Sequence, residues 1–381
     1  MSGVGSALPD RRHVIRSAML AAGGMAFSGC TTGGARPQRP GLATACLHPV
    51  KVSADRIIRT EAGLRPYRAS GFVVRAEPVG AARVIHNYGH GGAGISLSWG
   101  SSKLATELGL PGHSGAVAVI GAGVMGLTTA RLVQEAGFPV TVYAASLPPG
   151  TTSNIAGGQW LPAGHYREHA VTPEWQRQYR AAADYSWRRF QIMVGDDYGI
   201  RWLPTYTEAD APRPPLLPTF PPINRLLTTE EHPFPLESVV RFDTMYIEAG
   251  RFLRRLMQDI RIGGGSIQVR SFASPAEIAA LPEKLVFNCT GLGARQLFGD
   301  EGMHPVRGQL AILLPQPEVD YAFMGDAGYM FPRADGIILG GTYEHGQWSP
   351  ETDPRTIDGI IASHRHLFEA FRCSGRPDLP A

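Results

Sequence analysis

Val117-Ala118-Val119-Ile120 runs directly into Gly121-Ala122-Gly123-Val124-Met125-Gly126, and this junction restricts the fold more than any other stretch of the chain. Four consecutive apolar residues, three of them β-branched, form a strand buried on both faces, as in a parallel sheet. The glycines that follow allow a tight turn and a close helix–strand approach. Residues 125–136 continue as a helix with Gly137 at its C-terminal cap, and Val140-Thr141-Val142-Tyr143 supplies a second strand. The spacing predicts a β-α-β unit whose helix N-terminus faces an anion such as a dinucleotide pyrophosphate. A bare glycine turn carries little weight; the strand, helix and second strand around it make this one specific.

A second glycine-rich string, Val84-Ile85-His86-Asn87-Tyr88-Gly89-His90-Gly91-Gly92-Ala93-Gly94, lies upstream. Residues 84–88 are a short apolar strand opening into the glycines. Residues 95–108 then have helical spacing at Leu97, Leu104 and Leu108, and stop at Gly109. Backbone N–H groups of Gly91, Gly92, Ala93, Gly94, Ile95 and Ser96 thus open a helix and offer positive partial charge to a ligand. His86 and His90 read as structural hydrogen-bonding residues, since no third ligand stands at metal-site spacing; no metal is expected.

At 381 residues the chain exceeds what one core usually serves, so two domains are expected. Residues 52–60 read as a strand followed by a turn at Gly63-Leu64-Arg65-Pro66. Residues 174–194 read as a helix whose aromatics belong to the core, 206–235 as proline-rich and irregular, and 246–260 as an amphipathic helix ended by Gly263-Gly264-Gly265. Strands follow at 266–269, 306–314, 328–332 and 336–342, residues 285–291 read as a buried strand meeting a glycine turn, and a last helix stands at 355–371.

The first 30 residues read as an export signal. Asp10-Arg11-Arg12-His13 is a twin-arginine pattern before a weakly apolar run over 18–27, too short to span a bilayer. Phe27-Ser28-Gly29-Cys30 resembles a lipoprotein cleavage box with Cys30 as the lipidated residue, and 31–44 read as a flexible tether. The expected location is the periplasm or cell envelope, with membrane contact through a lipid anchor only. The formal charge of +3 falls to about +1 without the three arginines and one aspartate of the leader, which is no footprint for nucleic acid.

The string at 86–92, His-Asn-Tyr-Gly-His-Gly-Gly, resembles the D-amino-acid oxidase family of flavoenzymes. So do Thr151-Thr152-Ser153-Asn154-Ile155-Ala156-Gly157-Gly158-Gln159-Trp160, Asn288-Cys289-Thr290-Gly291, Arg307-Gly308-Gln309, Tyr329-Met330-Phe331-Pro332-Arg333 and Gly340-Gly341-Thr342-Tyr343. In that family the dinucleotide fingerprint stands near the start and His-Asn-Tyr-Gly-His-Gly-Gly near the end. Here the order is reversed, so the chain looks like a circular permutant joined through the 111–115 linker. The resemblance implies an α/β fold: a Rossmann-like FAD-binding domain (80–165 and 241–300) with a mixed-sheet α+β substrate domain (45–79, 166–240 and 301–372).

It also implies FAD held by Gly121, Ala122, Gly123, Val124, Met125, Gly126, Ser146, Thr151, Thr152, Ser153, Gly158 and Gln159, together with Gly91, Gly92, Ala93, Gly94, Ile95 and Ser96. Ser96 takes the place of a family threonine and is expected to donate to the flavin carbonyl. Gly63-Leu64-Arg65-Pro66 matches the segment with the substrate-binding arginine, so Arg65, Tyr329 and the backbone of Gly92 are the expected catalytic groups. A planar guanidinium holds a carboxylate bidentately. The Cα hydrogen of a D-amino acid or related amine then leaves as hydride toward flavin N5, and the imino acid hydrolyses to a keto acid and ammonia, with O2 as acceptor. Two alternatives stay open: a dehydrogenase using a non-oxygen acceptor, and a non-catalytic ligand-binding lipoprotein. Three departures stand out: Ala144-Ala145-Ser146 lacks the acid common at a ribose site, Ser102 replaces an alanine, and the segment 316–328 is shorter than the family's lid, with Gly325 where a tyrosine would stand. Cys46 and Cys373 flank the proposed junction and are candidates for a disulfide, whereas Cys289 reads as a buried, inert thiol.

Overall fold

A computed structural model describes residues 46–210 and 214–372. The leader, the tether, Cys30 and Cys373 lie outside the described residues. Cys46 is disulfide-bonded. No helix among the described residues is long and apolar enough to cross a membrane.

In chain order the strands are β1 (Ile57–Tyr67), β2 (Val73–Val79), β3 (Ala82–Tyr88), β4 (Val117–Ile120), β5 (Val140–Ala144), β6 (Ile200–Glu208), β7 (Asn224–Thr228), β8 (Ser238–Ile247), β9 (Ser266–Val269), β10 (Leu285–Asn288), β11 (His304–Leu313), β12 (Ala322–Gly325), β13 (Gly328–Arg333), β14 (Gly336–Gly340) and β15 (Glu344–His345). The helices are α1 (Gly94–Gly109), α2 (Val124–Glu135), α3 (Pro173–Gln191), α4 (Ala249–Ile262), α5 (Pro275–Ala279), α6 (Gly293–Phe298) and α7 (Pro354–Glu369).

Two sheets organise these elements, giving a mixed α/β fold. One runs β2-β3-β10-β4-β5-β9; all its neighbours are parallel except β2, which is antiparallel to β3. The buried runs Val117–Ile120 and Leu285–Asn288 are central strands of it, as their unbroken apolar character requires. The other runs β1-β11-β14-β13-β12-β6-β8-β7, with β15 beside β11, and is antiparallel apart from β12 against β6. A buried polar network ties β3 to α1 and α2. Ser102 Oγ lies 2.9 Å from both Thr128 Oγ1 and Thr129 Oγ1, and Asn87 Nδ2 donates to Ser102 and to Thr129 at 3.2 Å. The departure at Ser102 therefore has a structural use.

Several expectations need correction. Gly63 to Pro66 do not form a turn but lie within β1, with Arg65 opposite Val306. β1 is an edge strand, where a proline without an N–H is tolerated. The proline-rich stretch is not irregular throughout: it contains the end of β6 and all of β7, both paired with β8, with irregular backbone at 214–223 and again at 229–237. Tyr246 lies in β8, one residue before its end, rather than starting a helix, and α4 begins at Ala249. Long-range pairing, invisible to local pattern, decides these strands. β2 pairs with β3 at the edge of the parallel sheet through a tight turn at Gly80 (φ 56°), and β8 lies in the other sheet.

Candidate active site

A cavity of about 840 Å³ lies between the two sheets. All five parallel strands deliver their carboxyl ends to it: Tyr88 and Gly89 at the end of β3, Cys289 and Thr290 just past β10, Gly121 just past β4, Ala144 and Ala145 at the end of β5, and Arg270 just past β9. Ligands of open parallel sheets bind at this edge.

The fingerprint turn is shaped by contacts that only glycine permits. Gly121 has φ +113°, and a Cβ there would stand 2.4 Å from the Cys289 carbonyl oxygen. At Gly126 a Cβ would stand 1.8 Å from the Gly121 carbonyl oxygen, so this residue lets α2 start directly over the turn. Gly121, Ala122, Gly123, Val124 and Met125 line the cavity, whereas Gly126 lies behind them. The Val124 N–H donates to Ser153 Oγ at 3.0 Å, fastening the threonine-rich loop across the helix start. Thr151, Thr152, Ser153, Gly158, Gln159 and Ser146 all line the same cavity. Gln159 is oriented by its amide donating to the Tyr246 hydroxyl at 2.7 Å, and Ser146 Oγ closes its own loop onto the Gly150 carbonyl at 3.0 Å.

From the upstream glycine string, Gly91, Gly92, Gly94 and Ile95 line the cavity where α1 begins. Two expected residues do not. Ala93 is fully buried beneath the turn. Ser96 Oγ donates to the Gln159 carbonyl at 3.2 Å and accepts the Leu161 N–H at 3.1 Å, so it fastens the 159–161 loop instead of presenting its hydroxyl to a ligand.

Arg65 and Tyr329, 264 positions apart in the sequence, converge. The Tyr329 ring stacks on Phe331 with centroids 4.6 Å apart, and its hydroxyl meets the Arg65 side chain. Arg65 Nη1 donates to the Thr342 carbonyl at 3.1 Å, and its guanidinium faces the Tyr343 ring at 5.4 Å. It forms no ion pair with any described residue. A Cβ at Gly92 would stand 3.3 Å from Arg65 Cδ, which brings the glycine loop against the arginine stem. Arg68, the other arginine of this segment, points elsewhere: Nε and Nη2 bind Asp300 at 2.9 and 3.2 Å, and the Tyr88 hydroxyl donates to the same carboxylate at 2.9 Å. Burial acts to raise the Asp300 pKa, but the bonds from Arg68 and Tyr88 outweigh it and hold the carboxyl below its ordinary value.

The histidines are structural, as expected. His90 bonds Ser101 Oγ at 2.8 Å and stacks on Phe72, and complete burial pushes its pKa down to about 3. His86 lies between Glu77 at 3.1 Å and Asn288 at 3.0 Å. No group of three or more potential metal ligands occurs among the described residues.

Sequence reasoning missed Arg270, Ser271, Phe272 and Ala273, which line the end of the cavity beside Ala144-Ala145-Ser146. The strand at 266–269 was legible, but its pairing with β5, which delivers the next residues to the place where an acid was absent, was not. Among the described residues, the cavity lining thus holds two arginines, Arg65 and Arg270, and no aspartate, glutamate or lysine. Such a lining favours anions.

The family described as "FAD dependent oxidoreductase" matches residues 10–108 and 116–378 of this chain. The chain is 32% identical over 252 residues to a D-amino-acid oxidase of Rubrobacter xylanophilus, covering 64% of this chain and 74% of that protein. It is 32% identical over 258 residues to a D-amino-acid oxidase of Streptomyces coelicolor, covering 65% and 76%. Glycine oxidase from Bacillus cereus shares the fold, with a TM-score of 0.50 at 16% identity over 68% of this chain and 79% of that one. The chain belongs to the family of FAD-dependent oxidoreductases, and its cofactor is FAD. The cavity suits that group: Gly121, Gly123 and Gly158 line it with bare backbone, and α1 and α2 both begin at its wall.

Proposed function

We propose that the protein oxidises the C–N bond of a D-amino acid or a related α-carboxylate amine. The observation that carries this reading is Arg65: a half-buried guanidinium in an acid-free cavity, with no ion-pair partner among the described residues and a tyrosine hydroxyl beside it. Bound FAD supplies the redox chemistry, accepting hydride from the substrate Cα. Gly91, Gly92, Gly94 and Ile95, with the fingerprint residues and the 151–159 loop, hold the cofactor, and the N-terminus of α1 supports negative charge on the ring. Arg65 and Tyr329 hold the carboxylate. Among the described residues no carboxylate base lines the cavity, and His90 is bonded to Ser101 and held neutral by burial. The chain's part is therefore positioning and polarisation, with the amine proton lost to solvent. O2 is the proposed acceptor, in keeping with the oxidases among its relatives.

The circular permutation is also part of this reading. It is supported by the family match falling in two stretches whose break, 109–115, coincides with the linker between α1 and β4. Export and lipidation at Cys30 rest on the leader motifs and are tested by labelling with a fatty acid in wild type and Cys30→Ser. The catalytic reading is tested by anaerobic bleaching of the FAD-loaded protein with a panel of D- and L-amino acids, followed by oxygen uptake. Bleaching by D-amino acids without oxygen uptake would move the acceptor to another oxidant. No bleaching by any amino acid or amine would leave a binding protein.

A further inference from the structure

The short segment between β12 and β13 turns at Gly325–Gly328, and Gly325 has no side chain to lay over the substrate end. Another element stands at that mouth. Tyr343 lines the cavity while remaining 49% exposed, and its hydroxyl donates to the carbonyl of Gly164, a lining residue from a distant loop. Its ring faces the Arg65 guanidinium at 5.4 Å, and the carbonyl just before it, that of Thr342, accepts from Arg65 Nη1.

The residues on either side of Tyr343 are fixed. Thr342 Oγ1 accepts the Gln309 N–H at 3.0 Å, and Glu344 is held by Arg307 Nε at 2.8 Å and Gln309 Nε2 at 2.7 Å. The two glycines before Thr342 pack directly on the Tyr329 ring; a Cβ at Gly340 would stand 2.3 Å from it. With the backbone so anchored, the element that can open the mouth is the Tyr343 side chain, by rotation and loss of one hydrogen bond.

We propose that Tyr343 is the cover and positioning residue of the substrate end: its ring orients Arg65 for an α-carboxylate, and its bond to the Gly164 carbonyl latches the mouth. This rests on the assignment of Arg65 to the carboxylate. The cover admits substrate by moving one side chain, a mode suited to small amino acids and closed to substrates whose bulk needs the ring displaced throughout turnover.

The test uses FAD-loaded full-length protein and benzoate, a carboxylate with no amine to oxidise, followed by flavin absorbance in stopped flow. Tyr343→Phe keeps the ring and removes the latch, so association and dissociation rates should both rise about three- to tenfold while Kd moves less than twofold. Tyr343→Ala removes both, so Kd should weaken about tenfold or more as Arg65 loses its facing ring. In D-alanine oxidation the Phe variant should change kcat, and the Ala variant mainly KM. Because Tyr343 is half exposed, both variants should retain flavin content and thermal midpoint, checked alongside. Rates and Kd within twofold of wild type in both variants would overturn the proposal. Arg65→Ala separates the two levels: if it too leaves benzoate binding intact, the carboxylate assignment falls, whereas if it alone weakens binding, only the role of Tyr343 does.

Discussion

Replacing Arg65 by alanine tests the substrate assignment at its narrowest point. The guanidinium has one hydrogen bond to the Thr342 carbonyl, a tyrosine hydroxyl and a tyrosine ring around it, and no acid within ion-pair distance among the described residues. A substrate carboxylate would therefore be its ion-pair partner, and in the variant that carboxylate would enter a cavity whose other formal cation, Arg270, lies beside Ala144 at the far end. Leaving a charge unpaired in such a site costs about 2–5 kcal/mol. Arg65 is only half-buried, so solvent screening puts the expectation at the low end, about 2–3 kcal/mol. At about 1.4 kcal/mol per tenfold, that is roughly a 30- to 150-fold loss. Arg65→Lys keeps the charge but not the planar fork, and should recover part of the loss. The assay is kcat/KM for D-alanine beside kcat/KM for a carboxylate-free amine at high concentration, with flavin content measured in every variant. If Arg65→Ala oxidised D-alanine as wild type does, or lost amine and amino acid activity equally, the reasoning would be refuted.

Three further outcomes follow from the same geometry. Gly126→Ala forces a methyl to within 1.8 Å of the Gly121 carbonyl, so it should lower stability by about 1–3 kcal/mol and release FAD, read as a lower thermal midpoint and a lower flavin-to-protein absorbance ratio. His90 and His165 are both pushed by burial from 6.5 to about 3, so between those values the unfolded chain takes up protons that the folded chain does not. Stability should be full above the unfolded value and fall as pH drops from about 6.5 toward 3; urea midpoints at pH 7.5 and pH 5 should differ, and less so in His90→Asn, and equal midpoints in wild type would contradict the buried neutral state. Burial pushes the Cys289 thiol up to about 12, so iodoacetamide at pH 8 should label it only after denaturation, as mass spectrometry would show.

How much of this was legible in the sequence depended on whether the determinant was local. The strand at 117–120 falls on the residues expected, because an apolar run meeting a glycine turn carries its own boundary. Choosing Arg65 rested on the Gly-Leu-Arg-Pro match alone, and the physical reason that sets it apart from Arg68 lay out of sight. Arg68 is neutralised by Asp300, 232 positions away, so only Arg65 keeps a guanidinium free for a ligand. Ser96 shows the opposite case. Its position at a helix start is what a ligand-binding hydroxyl would have, yet the 159–161 loop takes both its donor and its acceptor capacity. Arg270 was hidden because nothing in residues 266–273 says which strand they lie beside; pairing with β5 decides it.

The same distinction explains why the order of segments matters so little to the site. The two glycine loops are close in sequence, yet their strands β3 and β4 are not neighbours: β10, from some 170 residues later, runs between them and is parallel to both. What brings the loops to one cavity is that parallel strands end at the same edge of a sheet. That condition constrains strand direction and neighbour, not the order in which the chain visits them. The contacts that lock the arrangement are likewise indifferent to connectivity: Asn87 before one loop bonds Thr129 in the helix after the other, and Cys289 at the end of β10 supports the Gly121 turn. Moving the termini to the linker of a permuted chain would alter loop closure, a term that grows slowly with length. It would leave each of these contacts in place. A reordered chain can therefore keep its FAD cavity, provided every strand still meets the neighbours found here.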